Sequence, residues 1–272
     1  MVLPLFFAGK LFEYTLYMPL AIGFLCYSLA ASSVYIFNDW LDIEEDKIHP
    51  KKSKRPLASG RIKKESALFL MALLQIVALP LAFFTDPQFF YLLLTYLGIN
   101  FLYSVKLKQI PVLDLSIIAI GFILRVQAGG LITDITLSKW LLIITFLLAF
   151  FLGLAKRRDD VLLYNRDGKQ LRKSIQGYNL EFINLSMVLM AGVIMVAYIM
   201  YTTSHEIESR LGSTNVYLTS FFVLLGLLRY LQISIVELNS GSPTAILLKD
   251  RFIQLTILGW ITCFYLILYK VV

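Results

Sequence analysis

The segment LYMPLAIGFLCYSLAASSVYIF, Leu16–Phe37, runs directly into NDWLDIEED, Asn38–Asp46. The first segment carries no charged residue and has the length of a transmembrane helix, which needs about 20 apolar residues. The whole chain shares this character, because 58% of its 272 residues are hydrophobic and only 16% are charged. Soluble domains carry about 25% charged residues. The sequence therefore predicts an all-α, polytopic transmembrane helix bundle.

Eight apolar runs are long enough, or nearly long enough, to span a membrane. They are Leu16–Phe37, Ser66–Thr85, Phe89–Ser104, Val112–Ile132, Trp140–Ala155, Ile183–Thr203, Val216–Val236 and Phe252–Tyr269. The apolar residues Met1–Ala8 look like the end of a ninth helix whose beginning is missing. We expect a single transmembrane domain over residues 1–272, with eight full spans and this N-terminal remnant.

The loops between these runs divide the basic residues unequally between the two sides of the membrane. One side receives Asp39–Glu65, Val105–Pro111, Lys156–Phe182 and Glu237–Arg251, which contain 8, 2, 7 and 2 of the 25 Lys and Arg residues. Cytoplasmic loops carry the excess of Lys and Arg in membrane proteins. We therefore place this side in the cytoplasm, together with all the candidate chemistry that lies on it.

The acidic segment, continued as a helix, gathers oxygen ligands on one face. A period of 3.6 residues places Asn38, Asp42 and Asp46 in line, with Asp39 beside them. Each i,i+4 step rises about 6 Å, so these oxygens can converge on one cluster of ions. Carboxylate and amide oxygens are hard ligands that suit Mg²⁺, which makes the three aspartates candidate metal ligands and catalytic residues. The alternative is a solvated acidic helix end without an ion.

A basic loop follows the acidic face. Lys52 and Lys54 are candidate point-charge ligands for phosphate, and Arg55 can grip a phosphate with two hydrogen bonds. Ser59-Gly60 is expected to leave backbone N–H groups accessible to an anion near the next helix start. An ordinary cytoplasmic loop is basic as well, but it does not require an acidic helix face beside it. Together the two segments can hold an anion and its metal.

Further candidates lie on the next elements. Tyr103 is either an interfacial anchor or a substrate contact, and Lys106 or Lys108 in the following loop is a candidate phosphate ligand. Arg125 lies deep in a span, so it should face other helices or a wet cavity rather than lipid. Asp114 on the same helix faces the same way, since the two residues are close to three turns apart.

The third basic loop opens with Lys156-Arg157-Arg158-Asp159-Asp160. In a helix, Lys156 and Asp160 share a face at i,i+4 and form either a plain surface ion pair or part of a second polar cluster. Arg157 belongs to a basic run that also fits lipid headgroups at the membrane edge. The three residues are therefore candidates for a substrate-binding cluster.

The motifs resemble a known family. Asn38-Asp39-x-x-Asp42-x-x-x-Asp46, followed by Arg55-Pro56-Leu57-Ala58-Ser59-Gly60, resembles the UbiA superfamily of intramembrane prenyltransferases, and the resemblance covers nearly the whole chain. Within it, the chain is most similar to the decaprenyl-phosphate phosphoribosyltransferase branch. The shared features are His49-Pro50-x-Lys52-x-x-Arg55-Pro56, Leu113-Asp114, Lys156-Arg157-Arg158 and Pro243-Thr244 with Lys249-Asp250-Arg251. The resemblance implies nine transmembrane helices around a central cavity open to the cytoplasm and to lipid.

One difference from the superfamily's motifs helps to assign the chain to a branch. Aromatic prenyltransferases of the superfamily carry a second Asp-x-x-x-Asp motif, whereas here Asp159-Asp160 is followed by Val161-Leu162-Leu163-Tyr164. The spacing therefore favours the phosphoribosyl branch, in which a basic pair precedes a single acid. That acid is a glutamate in the branch, and Asp160 is one methylene shorter.

For function, the resemblance implies an Mg²⁺-dependent enzyme. The donor would be a diphosphate-bearing sugar, 5-phosphoribosyl 1-diphosphate, and the acceptor a polyprenyl phosphate in the membrane. The expected substrate contacts are Asn38, Lys52, Lys54, Arg55, Tyr103, Lys106, Arg125, Lys156, Arg157 and Asp160. Of these, Asn38 orients the metal-binding Asp39, Asp42 and Asp46, and Lys156 and Arg157 hold the lipid phosphate.

Two alternatives stay open at this stage. One is the prenylation of an aromatic acceptor by a polyprenyl diphosphate, which uses the same metal chemistry at the acidic motif. The other is a non-catalytic protein that binds a lipid phosphate. No nucleic-acid partner is expected, and the sequence does not specify an oligomeric state.

Overall fold

The computed structural model describes residues 1–48, 52–167, 173–238 and 243–268, and the regular structure in these ranges is helical. The helices are α1 (Leu3–Phe7), α2 (Tyr17–Leu41), α3 (Ile43–Lys47), α4 (Lys64–Thr85), α5 (Pro87–Val105), α6 (Leu113–Ile132), α7 (Lys139–Asp167), α8 (Leu180–Thr202), α9 (His205–Leu211), α10 (Ser220–Ile235), α11 (Pro243–Lys249) and α12 (Arg251–Leu268). They form two compact units, unit 1 (Met1–Leu137) and unit 2 (Ser138–Val272).

In the described ranges, seven helices are long and apolar enough to cross a membrane, namely α2, α4, α5, α6, α7, α8 and α10. The pair α11 and α12 is bent by 86° and supplies an eighth span if the two helices count as one. Large apolar side chains on these helices, among them Phe69, Phe84 and Leu185, are exposed. Such apolar surface marks a membrane interaction. The protein is an all-helical, multi-pass membrane protein.

The predicted apolar runs compare closely with these helices. Each of the first seven overlaps one of the seven spanning helices, and the run Phe252–Tyr269 corresponds to α12. The predicted loop Lys156–Phe182 is wrong at its start, because α7 continues to Asp167 and carries Lys156–Asp160. Eight full spans and the central cavity open to the cytoplasm stay predictions, as does the single domain. Residues 1–8, expected to end a helix, contain the short α1. His49 and Pro50 of the quoted motif, and Tyr269 at the end of the last run, lie outside the described residues.

Unit 1 is built around α2, which packs against α4, α5 and α6. Small side chains of α2, including Cys26 and Ala30, lie in one buried cluster with Leu93 and Leu97 of α5. Small residues let helices approach closely, which is a main source of helix association where lipid is as apolar as the helix surface. This packing fixes the end of α2, where the acidic segment begins.

Two loop-to-helix transitions in the chain follow from their sequences. The Asp86 carboxylate accepts a hydrogen bond from the Phe89 backbone N–H (2.6 Å), and Pro87 occupies the first turn of α5. The Asn179 side chain accepts one from the Phe182 N–H (2.7 Å) at the start of α8. Short polar side chains satisfy the unpaired N–H groups of a first turn, and proline there loses no intrahelical bond.

Unit 2 contains a buried polar link between three elements. The Trp260 indole N–H of α12 donates to the Tyr198 hydroxyl of α8 (2.7 Å), and that hydroxyl also lies 2.7 Å from the Thr219 hydroxyl before α10. Polar side chains inside a membrane bundle are satisfied by one another because lipid offers no partner. The network therefore specifies how α8, α10 and α12 pack.

The bend between α11 and α12 is held by Asp250. Its carboxylate accepts the Ile253 backbone N–H (2.9 Å), which caps α12, and it accepts from the Arg229 guanidinium of α10 (2.6 Å). Arg229 also donates to Glu237 (2.8 Å). Asp250, part of the motif quoted above, therefore has a structural role in unit 2.

We predict that Asp250→Ala lowers the thermal stability of the protein. Losing an N-cap costs about 1 kcal/mol, and Arg229 loses an ion-pair partner as well. The expected result is a drop of a few degrees in the midpoint of thermal unfolding of the detergent-solubilised protein. Asp250→Asn is the matched control, because asparagine caps a helix as well as aspartate does. Equal losses in the two variants would contradict a capping role.

Candidate active site

The acidic segment keeps its helical face although the helix is interrupted. α2 ends at Leu41, Asp42 leaves helical geometry, and α3 starts at Ile43. The backbone nevertheless keeps its i,i+4 hydrogen bonds across the break, from Asp42 N–H to Asn38 C=O (3.0 Å) and from Asp46 N–H to Asp42 C=O (2.8 Å). Asn38, Asp42 and Asp46 therefore still lie one turn apart.

The acidic face and its basic partners form one charged cluster, which consists of Asn38, Asp39, Asp42, Asp46, Lys52, Arg55 and Lys108. Asp42 is the centre of its first half. One of its oxygens accepts from the Asn38 side-chain amide (3.1 Å), and the other accepts from the Lys108 ammonium. Lys108 also donates to the amide oxygen of Asn38 (3.2 Å). This lysine lies in the 3-10 turn Leu107–Gln109 after α5, so the contact joins two distant parts of unit 1.

Arg55 is the centre of the second half. A single guanidinium nitrogen, Nη1, donates to Asp39 (2.7 Å) and to Asp46 (2.8 Å). The Lys52 ammonium lies 3.6 Å from the other oxygen of Asp46, whose side chain is only 2% exposed. Three carboxylates and three cationic groups thus alternate at the end of α2.

The basic loop is held against α3 by an apolar contact. Leu57 is buried together with Ile43 of α3 and Ala67 of α4, and Trp40 packs against them. This anchor lies two residues after Arg55 and brings its guanidinium to the acidic side chains. Burial of these apolar groups thereby positions a polar site.

The expected anion cradle at Ser59-Gly60 is wrong. The Ser59 N–H donates to the Arg55 carbonyl (2.8 Å) and the Gly60 N–H to the Leu57 carbonyl (3.2 Å). Gly60 has a positive φ of 74°, so this glycine is needed to close the turn. The segment therefore serves to fold the loop back.

Several charged neighbours lie outside the cluster. Glu44 on α3 is exposed and binds Lys47 (2.9 Å), a hydrogen bond that lowers the pKa of its carboxyl. Lys54 and Lys106, both predicted phosphate ligands, are exposed. Of the two lysines in the loop after α5, Lys108 is the one that contacts the acidic face.

The donor set of the cluster fits a hard divalent cation in its chemistry, because Asp39, Asp42 and Asp46 with Asn38 offer only oxygen ligands. Within the described residues, however, no group of three or more Asp, Glu, His or Cys side chains is arranged to hold a metal. In the structure, oxygens of all three carboxylates accept hydrogen bonds from Lys108 and Arg55. A metal would have to replace these cations at the carboxylates.

The interior of unit 1 holds Arg125. Its guanidinium lies 5.3 Å from the centre of the Tyr27 ring and 5.6 Å from that of Phe122. Tyr96 stacks obliquely on Tyr27, with ring centres 4.6 Å apart. Aromatic faces attract a cation at these distances, so Arg125 points at protein groups. Asp114 on the same helix is fully buried, and Tyr103 is half-buried.

In unit 2, the third basic segment contains a buried ion pair that was not predicted from the sequence. Asp160 pairs with Arg157 (3.2 Å), and the Arg157 side chain is almost completely buried. Lys156 is exposed on the same helix. The contact between Lys156 and Asp160 stays a prediction.

Sequence reasoning missed a buried contact next to this pair. Arg158 is only 3% exposed and donates to the Asn184 side chain of α8 (2.8 Å). It was not distinguished from its basic neighbours, because three consecutive cations look alike in a sequence. A signal was nevertheless present at helical spacing, because Leu154, Ala155, Val161 and Leu162 lie three and four residues from Arg158 and share its face of α7.

A model of the UbiA prenyltransferase family matches residues 2–256. The chain belongs to this family. Among curated relatives, a decaprenyl-phosphate phosphoribosyltransferase of Mycolicibacterium smegmatis is 31% identical over 247 residues, covering 89% of this chain and 77% of the relative. One of Mycobacterium tuberculosis strain H37Rv is 31% identical over 241 residues (89% and 78%). One of Corynebacterium glutamicum is 26% identical over 264 residues (96% and 79%).

Solved structures agree on the fold. A UbiA homolog from Archaeoglobus fulgidus bound to GPP and Mg²⁺ has a TM-score of 0.68 at 19% identity, covering 92% of this chain and 88% of the homolog. The resemblance predicted from the sequence motifs is confirmed. The protein is a UbiA-type transferase.

We predict that Asp46→Ala opens the basic loop to protease. Arg55 loses one of its two carboxylate partners, and a hydrogen bond to a charged group contributes about 1.5–3 kcal/mol. Cleavage that tracks the open population should then become at least about ten-fold faster. The measurement is limited trypsin digestion of the solubilised protein, following cuts after Lys52 and Lys54.

Glu44→Ala is the matched control for this digestion, because it removes an exposed carboxylate from the same short helix. Its cleavage rate should equal that of the wild type. If Asp46→Ala is cleaved no faster than Glu44→Ala, Asp46 does not hold the loop.

Proposed function

We propose that this UbiA-type transferase moves a 5-phosphoribosyl group from its 1-diphosphate to a polyprenyl phosphate and releases diphosphate. The observation that carries the proposal is the alternation of three carboxylates with Lys52, Arg55 and Lys108 at the end of α2. Such a set can bind a metal and a diphosphate in one place. The names of the relatives support the transfer of a phosphoribosyl group and a polyprenyl phosphate as the second substrate.

Asp39, Asp42 and Asp46 would hold Mg²⁺, and the 3.1 Å bond from Asn38 orients Asp42 for this task. When bound, Mg²⁺ stabilises the charge of the leaving diphosphate as a Lewis acid. Lys52, Lys54 and Arg55 add positive charge on the same side, where it is most useful as the leaving group departs.

The reaction needs no strong general base. The bond between ribose C1 and the diphosphate oxygen breaks, and its electron pair leaves with the diphosphate. An oxygen of the polyprenyl phosphate forms the new bond to C1. A phosphate monoester is already anionic near neutral pH, so the side chains have to hold the two substrates in line rather than remove a proton.

On the acceptor side, we assign the lipid phosphate to Lys156, supported by its exposed position on α7. Arg157 and Asp160 form a pair beside it (3.2 Å) that adds a buried cation to this segment. Tyr103, Lys106 and Arg125 are further proposed substrate contacts. The excess of Lys and Arg in these loops supports a site that opens to the cytoplasm.

We predict that the purified full chain releases diphosphate from 5-phosphoribosyl 1-diphosphate when Mg²⁺ and a polyprenyl phosphate are present. Radiolabelled ribose should appear in the lipid phase at the same rate. Asp42→Asn should lower both rates by about 10²-fold or more, because it removes a charged ligand from the transition state. Glu44→Gln, on the exposed side of α3, should retain wild-type rates.

The alternatives give different results in this assay. Turnover of a polyprenyl diphosphate with an aromatic acid, and none with the sugar donor, would identify an aromatic prenyltransferase. Binding of polyprenyl phosphate without diphosphate release from any pair would identify a lipid-phosphate binder. Full activity of Asp42→Asn would refute the metal role of the motif.

We predict that Lys156→Ala weakens the use of the lipid acceptor. The apparent KM for polyprenyl phosphate should rise roughly ten-fold, as loss of one hydrogen bond to a charged group implies, while the KM for the sugar donor stays the same. Steady-state kinetics with each substrate varied in turn provide the test. An unchanged acceptor KM would remove Lys156 from the headgroup site.

A further inference from the structure

We propose that Lys108 and Arg55 act as internal counter-ions that occupy the metal-binding carboxylates until a diphosphate arrives. Metal and diphosphate then bind strongly only together, because the diphosphate draws the two side chains away from the carboxylates. The proposal rests on the proposed function, since it assumes that this site takes a divalent cation and a diphosphate.

The contacts of Asp42 carry the first step. Its Oδ1 is bound by the Lys108 ammonium and its Oδ2 by the Asn38 amide. Lys108 donates to the Asn38 side-chain oxygen as well (3.2 Å). One ammonium group therefore binds an oxygen of Asp42 and the amide oxygen of Asn38 at the same time. A metal that binds Asp42 and Asn38 through these atoms competes directly with Lys108.

Arg55 does the same at the other two acids. Its Nη1 lies 2.7 Å from Asp39 Oδ1 and 2.8 Å from Asp46 Oδ2. A single nitrogen between two carboxylates has the position that a bridging cation would take. Asp46 is almost fully buried, whereas the Arg55 side chain is 36% exposed, so Arg55 can swing out while the carboxylate stays.

The charge balance supplies the coupling. The three carboxylates are matched by Lys108, Arg55 and Lys52. A divalent cation alone would add two positive charges to a site that is already neutral and half-buried, and like charges so close repel each other. A diphosphate brings the negative charge that balances the metal, and its oxygens accept the hydrogen bonds of the displaced lysine and arginine.

The proposal predicts that removing the Lys108 ammonium group raises the affinity of the site for a metal ion. A Lys108→Met chain should bind Mn²⁺ more tightly than the wild type in the absence of diphosphate. A purely structural lysine predicts the opposite, because its removal loosens the site. Coupling between two ligands is typically about 5- to 150-fold, and we expect a gain in this range.

The experiment measures Mn²⁺ binding to the purified full chain by electron paramagnetic resonance, with and without inorganic diphosphate. Protein-free samples give the amounts of free Mn²⁺ and of its diphosphate complex. Wild-type protein should bind Mn²⁺ at least about five-fold more tightly when diphosphate is present. Lys108→Met should bind Mn²⁺ tightly in both conditions. Lys108→Gln, which also removes the positive charge but keeps a polar side chain, should behave in the same way.

Lys47→Met is the matched control. Lys47 lies on α3 close to the cluster, but it pairs with the exposed Glu44 (2.9 Å). Its removal lowers the local positive charge by the same amount, but it does not free an oxygen of Asn38, Asp39, Asp42 or Asp46 for a metal. This variant should bind Mn²⁺ as the wild type does. Thermal unfolding of each variant confirms that the chain is folded before its affinity is compared.

The outcomes separate this proposal from the proposed function. If folded Lys108→Met and Lys108→Gln bind Mn²⁺ no more tightly than the wild type, the counter-ion role is refuted. Equal Mn²⁺ affinity of the wild type with and without diphosphate would also refute it, although the metal site itself would stand. No Mn²⁺ binding in either condition would contradict the metal role in the proposed function as well.

Discussion

The charge of three neighbouring aspartates is the constraint on which unit 1 depends. Carboxylates so close to one another at a membrane boundary repel, and one of them, Asp46, is almost completely withdrawn from water. Burying a charge is tolerable only with a partner of opposite sign and good hydrogen bonds. The chain supplies these partners from two loops, through Arg55 and Lys108. These ion pairs offset the cost of placing three carboxylates together, while the apolar contact of Leu57 holds the basic loop in place.

Apolar contacts make this arrangement specific. The acidic segment would be mobile if it rested only on surface ion pairs, which contribute little. Instead Leu57, two residues after Arg55, is buried against Ile43 of α3, so that the loop is anchored to the helix that carries Asp46. At the other end, close packing of α2 on α5 through small side chains fixes the helix that carries Asn38 and Asp39. The polar groups therefore sit on a rigid support, as positioning of substrates requires.

Much of this could be predicted from the sequence, because it depends on period and composition. The spanning helices follow from long apolar runs, and the common face of Asn38, Asp42 and Asp46 follows from the helical repeat, which survives even the break at Asp42. Pairings between distant segments could not be predicted. Nothing in the spacing distinguishes Lys108 from Lys106, since only the direction of the turn after α5 decides which one reaches Asp42.

Ion pairs between residues close in sequence could not be predicted in full either, as the third basic segment (Lys156–Asp160) shows. Lys156 and Arg157 are equally good partners for Asp160 on helical spacing, at i,i+4 and i,i+3. In the structure Arg157 is buried and pairs with Asp160, whereas Lys156 is exposed. An exposed ion pair at this spacing contributes only a few tenths of a kcal/mol to stability, so the spacing does not determine which of the two side chains is buried. That depends on which side of α7 packs against other helices, and helical spacing alone does not show it.

The acidic face does not by itself choose a substrate. A metal held by aspartates stabilises a departing diphosphate whether that group leaves a ribose carbon or an allylic carbon. Selection between these donors has to come from residues that contact the rest of the molecule. In this chain Lys156 and the buried Arg157 and Arg158 precede Asp159 and Asp160 on α7, so cations outnumber carboxylates in this segment. A segment with excess positive charge attracts an anionic acceptor more strongly than a neutral one. Under the function proposed above, this basic segment, rather than the aspartates, distinguishes a phosphate nucleophile from an aromatic one.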